Sequence, residues 1–247
     1  MQNIPIRYIK GIGPKRAKLF NKIGIQTLED LLYYFPRRYE DRTNFTSIAK
    51  LQVGQTNTIK AEVLAKGERR SFRRRGFSII EVAVGDNTGK IFCVWFNQPY
   101  LVDYFKVGEA LILYGKIERY ADRLQMNSPE FEIVTQESDE PRPSLKSNIA
   151  LKEGRGESLN IGRIVPIYCL PEGVTQRKFR QMIKSVLDEY LTKINDFLPF
   201  DIRSRNNLFN LAKSLINIHF PENLDMQKQA YERLAFEEFF LFQLPLA

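Results

Sequence analysis

Two aromatic residues four positions apart, Phe96 and Tyr100, stand around an Asn-Gln-Pro turn, and a run of arginines, Arg69, Arg70, Arg73, Arg74 and Arg75, lies upstream of them. Between the two groups the stretch from Phe77 to Phe96 reads as a β-hairpin. Flat rings stack on bases that have left a duplex, and guanidinium groups hold phosphates without regard to base identity. A cationic loop and two aromatics framing one antiparallel sheet therefore point to a nucleic-acid platform. The same residues admit a plainer reading, with Phe96 in the core, Tyr100 capping the sheet and the arginines forming a solvated face.

Other chemistry is poorly supported. The run Gly85-Asp86-Asn87-Thr88-Gly89-Lys90 has three residues between its glycines where a phosphate loop has four, and Ile91 stands where Ser or Thr would hold magnesium. Asp188-Glu189 sits inside an amphipathic helical pattern. His219, the only histidine, precedes Phe-Pro and reads as a packed or capping residue rather than a general base. Cys93 and Cys169 have no companion ligands, so neither a disulfide framework nor a zinc site is indicated, and a reducing cytoplasm fits best. With no nucleophile–base pair and no metal site to nominate, the residues describe a binding module. The formal charge of +8 favours an anionic partner, nucleic acid ahead of a membrane surface. The longest apolar run, Ile91 to Phe96, is far short of the roughly 18 residues of a membrane-spanning helix.

The elements that must position these residues follow from periodicity. With 247 residues and 43% hydrophobic content the chain has ample material for a core. The segment 1–50 reads as two short helices joined by glycine turns, the second capped by Thr27 with Asp30, in a helix-hairpin-helix-like spacing. Gly11, Gly13 and Lys15 in its first turn are candidates for phosphate contact, or the unit is only a helical cap. Pro36 to Thr43, PRRYEDRT, reads as a solvated connector or salt-bridge cluster, with direct phosphate contact as the alternative. Over 51–135 five strand-like runs are expected, Thr56–Arg69, Phe77–Gly85, Lys90–Phe96, Glu109–Tyr120 and Arg123–Val134, with glycines supplying positive φ at the Gly85–Gly89 turn. A short insert at Gln98–Lys106 falls between the third and fourth. This pattern matches a five-stranded antiparallel Greek-key barrel of the OB type, whose second and third strands form the binding face. Trp95 and Phe96 alternate, and Trp95 is assigned inward. The segment 136–163 reads as a linker. The segment 164–247 begins extended at Ile164–Leu170 and continues in helices near Thr175–Ile194, Asn207–Ile218 and Met226–Leu244, an α+β chain in sum. The last helix is apolar around most of its circumference and expects cover from a further domain or a partner.

KGIGPKRAKLFNKIGIQTLEDLLYYFPRRYEDRT, VWFNQPYL, IVPIYCLPEGVTQRKFRQMI, NIHFPENL and YERLAFEEFFLFQL resemble, in that order, the N-terminal wedge region of the RecG family of bacterial ATP-dependent DNA helicases. The resemblance implies a region that grips branched DNA, such as stalled replication forks and Holliday junctions, and parts strands at the junction. Carried over by position, Phe96, Asn97 and Tyr100 look like the family's Phe-Asn-x-x-Tyr pattern, with the two rings capping terminal base pairs of the arms and Asn97 among the backbone contacts. The run of arginines is richer than the family requires. The family also implies two motor domains beyond this stretch, which would carry ATP and magnesium for fork regression, recombination and repair, and a monomer. The fragment itself is expected to need no cofactor and to show no ATPase activity alone. The alternatives are a free-standing OB protein that coats single strands and a scaffold whose basic loop touches no nucleic acid.

Overall fold

The computed structural model describes residues 4–70, 77–134 and 159–243. Its helices are α1 (Pro14–Asn21), α2 (Leu28–Leu32), α3 (Leu101–Tyr104), α4 (Gln176–Tyr190), α5 (Phe200–Arg205), α6 (Leu211–His219) and α7 (Leu224–Gln243). Its strands are β1 (Arg38–Asp41), β2 (Thr56–Arg70), β3 (Ser78–Asp86), β4 (Gly89–Phe96), β5 (Ala110–Tyr120), β6 (Arg123–Asn127), β7 (Glu130–Ile133) and β8 (Ile164–Ile167). They sort into two compact units, Arg42–Arg163 and a discontinuous one of Met1–Asp41 with Ile164–Ala247. Four consecutive segments were the expectation. They regroup because β1 pairs antiparallel with β8, from Arg38 opposite Ile167 to Asp41 opposite Ile164.

The continuous unit is a barrel of strand order β2-β3-β4-β6-β5-β7, closed by β2 pairing also with β5. β2 is long enough to serve both neighbours because an irregularity between Val63 and Ala65 bends it. One pairing, β4 with β6, is parallel. The run expected as one strand from Arg123 to Val134 is broken at Ser128-Pro129, where Ser128 takes a φ of 46° and donates its N–H to the Val94 carbonyl. β6 and β7 then pair with successive parts of β5, and Gly115 between them leaves room for Pro129, whose ring a Cβ would approach to 3.1 Å. Alternation along the strands sends Ile80, Val82, Val84, Ile91, Cys93 and Trp95 inward, where Ile59, Val63, Leu111, Leu113, Ile117 and Met126 meet them. α3 delivers Leu101 and the following Phe105 into the same core, and Lys66 holds the helix end by donating to the carbonyls of Val102 and Phe105 at 2.6 and 2.7 Å.

Glycine does not supply positive φ at the β3–β4 turn; neither Gly85 nor Gly89 has it. Asp86 holds the turn instead, accepting from the N–H groups of Thr88 and Gly89 and from the Thr88 hydroxyl. The two glycines are needed for proximity, since a Cβ would meet Leu64 at 2.8 Å from Gly85 and Ile48 at 3.1 Å from Gly89. Of the readings of PRRYEDRT, the solvated connector fails and the salt-bridge cluster holds, with Arg38 on Glu40 and Arg42 on Glu130. Arg38–Asp41 forms β1, and Arg42 is buried, with Nη1 and Nη2 at 3.0 and 3.2 Å from the two Glu130 oxygens, a third bond to the Asn160 carbonyl and its guanidinium 3.6 Å from the Tyr114 ring.

In the discontinuous unit four helix starts are capped by side chains, and α1 and α5 begin without one. Thr27 and Asp30 form a capping box at α2, and Thr175, Asn210 and Asn223 accept N–H groups at the starts of α4, α6 and α7. α4 buries Phe179, Ile183, Val186 and Leu187, with the Phe179 ring edge-on to Phe20, Tyr34 and Tyr168. α5 was not expected, and α6 begins at Leu211 rather than Asn207 because Asn210 caps it. Arg233, fully buried on α7, joins Asp196 at 2.7 Å to Glu237 at 2.6 Å, and Tyr33 donates to Glu237. The last turns of α7 leave Phe239, Leu241 and Phe242 exposed.

His219 is a packed residue, as its position before Phe-Pro suggested. Its Nε2 lies 2.8 Å from the Leu32 carbonyl oxygen, which only accepts, so Nε2 carries the proton and Nδ1 accepts from the Tyr168 hydroxyl at 2.9 Å. Burial pushes its pKa down to about 4, against 6.5 for the exposed group. The unfolded chain therefore binds a proton in a window where the folded chain does not. The stability that neutral His219 contributes is complete above about pH 6.5 and is lost as pH falls toward 4. Urea unfolding at pH 7 and pH 4 should show the parent losing on the order of 3 kcal/mol more than His219→Gln across that window. Arg42→Lys, which keeps the charge but gives up the planar fork and the ring contact, should cost on the order of 2 kcal/mol by the same measurement, and Arg42→Ala more.

Candidate nucleic-acid interface

The alternation that buries Trp95 turns Phe96 out. Trp95 is locked by its indole N–H donating to the Pro129 carbonyl at 3.2 Å and by the rings of Phe105 and Phe131, with centroids at 5.1 and 5.6 Å. Phe96, 38% exposed at the end of β4, lies opposite Ile79 and stacks with Phe77 at 6.0 Å and 28° between planes. Phe77 thus belongs beside Phe96. Its position two residues before Ile79 carried that signal in the sequence, through the two-residue period of a strand.

After Phe96 the chain reverses through Asn97, which takes a left-handed φ of 55°. Its N–H donates to the Ser78 carbonyl at 2.8 Å and its side-chain oxygen accepts from the Ser78 N–H at 3.4 Å, so Asn97 ends the β3–β4 ladder. Tyr100 begins α3, half-buried against the barrel core, and its hydroxyl donates to the Gln98 side chain at 2.8 Å. One exposed and one half-buried ring therefore flank a turn fixed at both ends.

The cationic part is divided. Arg69, 70% exposed, lies 3.5 Å from Glu81. Arg70 supplies backbone to β2 opposite Ser78, and Arg73, Arg74 and Arg75 lie outside the described residues. Glu81 also accepts both prongs of Arg123 at 2.5 and 3.2 Å, and the Arg123 guanidinium sits 4.2 Å from the Phe92 ring centre. Phe92, Arg123 and Glu81 were not singled out in the sequence. Phe92 was legible, because it precedes Phe96 by four positions on one strand and so shares its face; Arg123 was not, because the parallel β4–β6 pairing brings it there.

Gly11, Gly13 and Lys15 belong to the other unit. Gly11, with φ of 86°, forms the turn, its carbonyl held by the Arg16 guanidinium at 2.7 Å. Gly13 is the N-cap of α1, Pro14 opens the helix, and Lys15 is exposed in its first turn.

The Gly85–Gly89 turn does not fit a nucleotide phosphate. The N–H groups of Thr88 and Gly89, which a phosphate would need, are taken by the Asp86 carboxylate. Among the described residues no three His, Cys, Asp or Glu side chains are grouped to hold a metal ion, and no helix is long and apolar enough to cross a membrane. The Cys93 thiol is buried, which raises its pKa and keeps it protonated. The geometry offers ring faces, guanidinium groups and a rigid turn, a surface for stacking and for phosphate contact.

A family model for the RecG wedge domain matches residues 5–156. The chain is 30% identical over 241 residues to the ATP-dependent DNA helicase RecG of Thermotoga maritima, covering 97% of this chain and 28% of that protein. It is 29% identical over 250 residues to the ATP-dependent DNA helicase RecG of Synechocystis sp., again covering 97% and 28%. The chain thus spans less than a third of the length of these relatives. A solved structure of RecG bound to a three-way DNA junction matches with a TM-score of 0.80 at 26% identity, over 99% of this chain and 31% of that one. With the family model covering most of the sequence and the barrel geometry in agreement, the chain belongs to the RecG wedge domain family.

Proposed function

We propose that this chain binds branched DNA by shape and holds the strands apart at the junction, with Phe96 and Tyr100 stacking on the terminal base pairs of the arms. The observation that carries the reading is the exposed Phe96 ring, braced by Phe77 and fixed between the buried Trp95 and the Asn97 turn. The likeness to a solved RecG bound to a three-way DNA junction supports the choice of a junction as ligand. Arg69, Arg70, Arg73, Arg74 and Arg75 serve as phosphate contacts on this reading, and Asn97 with them. The Arg69–Glu81 pair is exposed and loose enough to yield to a phosphate at little cost. Gly11, Gly13 and Lys15 are offered as a separate phosphate-contact turn.

Magnitudes limit what such a surface does alone. Opening one base-pair step costs roughly 1.4 kcal/mol in lost stacking. A base stacked on an aromatic returns roughly 1 to 3 kcal/mol. Two rings offset the opening of about one or two steps, which holds a junction splayed without unwinding an arm. Sustained unwinding needs a motor driven by ATP and magnesium. We assign that motor to a longer polypeptide of the kind the relatives represent, acting in fork regression, recombination and repair, with exposed Phe239, Leu241 and Phe242 on α7 as a surface for it to cover. A chromosomal partner implies the cytoplasm, and one chain per junction is the stoichiometry we expect.

Fluorescence anisotropy at fixed salt, with a three-way junction and a single strand of equal length, tests the reading. The parent should prefer the junction, Phe96→Ala should lose much of that preference while keeping its unfolding midpoint, and Phe96→Ala/Tyr100→Ala should lose most of it with a lower midpoint, because Tyr100 also packs on the core. Equal affinity of the parent for both DNAs would instead mark the barrel as a single-strand coating module. In the same assay, Arg69→Gln should lower the log–log salt slope by about 0.9 if Arg69 neutralises one phosphate.

A further inference from the structure

The face that carries Phe96 does not stop there. Register places Phe92, Glu81 and Arg123 on it, and Tyr120, directly opposite Arg123 in the β5–β6 hairpin, shares that side of the sheet. Tyr120 is 64% exposed, and its ring stacks on no other ring among the described residues. The two residues joining these strands, Ala121 and Asp122, both take left-handed φ, 46° and 61°. That is a tight two-residue turn closed without glycine, a conformation ordinarily left to glycine or asparagine. The ring is thus presented at the tip of a short hairpin with few ways to move.

We propose that Tyr120 and Arg123 form a second base-stacking subsite, for unpaired nucleotides of a DNA strand leaving the junction. The proposal rests on the reading that this sheet face meets DNA. What decides between a phosphate clamp and a stacking plane is the state of Arg123. Both prongs of its guanidinium are committed to Glu81, at 2.5 and 3.2 Å, and one side of it is laid over Phe92 at 4.2 Å. Held flat in this way, the group presents its other face as a plane, with its three remaining N–H groups at the edge, and guanidinium planes, like aromatic rings, carry stacked bases. The interior of a duplex cannot use such a site, because its paired bases keep their faces against one another; an unpaired strand can.

Position fits the same occupant. β3 and β4 are the second and third strands of the barrel, and the β5–β6 turn joins its fourth and fifth, the surfaces OB barrels use for oligonucleotides. Phe92 lies four residues before Phe96 on β4, about 13 Å along the strand. The two subsites are therefore close enough to act on one strand within the roughly 4 to 16 nucleotides that an OB barrel covers.

The test uses the whole 247-residue chain and two three-way junctions, one with blunt arms and one carrying a single-stranded extension of about eight nucleotides, within that footprint. The extension should tighten binding by the parent. Tyr120→Ala should lose roughly 5- to 150-fold of that gain, the range of one base–aromatic stack, and leave blunt-junction affinity unchanged. Tyr120→Phe should keep the gain. Arg123→Lys, which retains the charge without the plane, should lose part of it with no change in salt slope. Phe96→Ala/Tyr100→Ala should weaken both junctions alike. An extension that adds nothing for the parent, or adds as much for Tyr120→Ala, overturns the second subsite alone. No binding of either junction by the parent overturns the DNA reading together with it.

Discussion

The outward face of the barrel depends on one buried side chain, Trp95. Its ring fills the space between Phe105 and Phe131, and its N–H finds the Pro129 carbonyl. A strand places successive side chains on opposite faces, so this burial forces Phe96 outward and puts Phe92 and Val94 on the same side. A register slip of one residue would bury Phe96 in a site built for an indole, expose the larger ring and leave the Pro129 carbonyl without its donor. An exposed phenyl ring gains nothing from water, and the fold holds it there because releasing it would cost the core.

Charge is arranged by burial rather than by number. The formal charge of +8 suggests a surface given over to an anion, yet several arginines serve the interior. Arg42, Arg180 and Arg233 are fully buried and satisfy carbonyls or carboxylates inside their own units. On the outer face Glu81 draws in both Arg69 and Arg123, and so lowers the positive field where the rings lie. The Arg69 pair is long and exposed, the Arg123 pair short and bidentate. One carboxylate thereby leaves one guanidinium available for exchange and fixes the other in place. This is a division of labour that composition cannot reveal, because both residues count as +1.

Local chemistry was the legible part of the sequence. The Thr27–Asp30 capping box, the buried stripe of α4 and the inward Trp95 beside an outward Phe96 all follow from spacings of a few residues. What was missed is long-range. PRRYEDRT reads as a solvated connector or a salt-bridge cluster because it carries three arginines and two carboxylates; the ion pairs form, but nothing local shows that Arg38–Asp41 gains a strand partner more than 120 positions away. Arg42 likewise finds Glu130 and Asn160 across the barrel unit. The hairpin was read correctly with the wrong agent in its turn: Gly85 and Gly89 are set by the closeness of Leu64 and Ile48, and Asp86 bends the chain. Similarly, Ser128-Pro129 breaks what looked like one strand, because Pro129 must bring its carbonyl to Trp95.

A surface that parts strands must be rigid before it is sticky. A stacked base returns about as much free energy as one opened step costs, so any ordering of the protein on binding would consume the gain. Fixing a mobile side chain costs roughly 0.5 to 1.5 kcal/mol, enough to cancel a single stack. Each ring on this face is already restrained. Phe96 lies against Phe77, Tyr100 starts a helix with its hydroxyl engaged, Phe92 lies under a tethered guanidinium, and Tyr120 rides on a two-residue turn. The ordering cost has been met during folding by the barrel core. That is why the aromatic residues turned away from the interior are nonetheless the ones whose placement the interior determines.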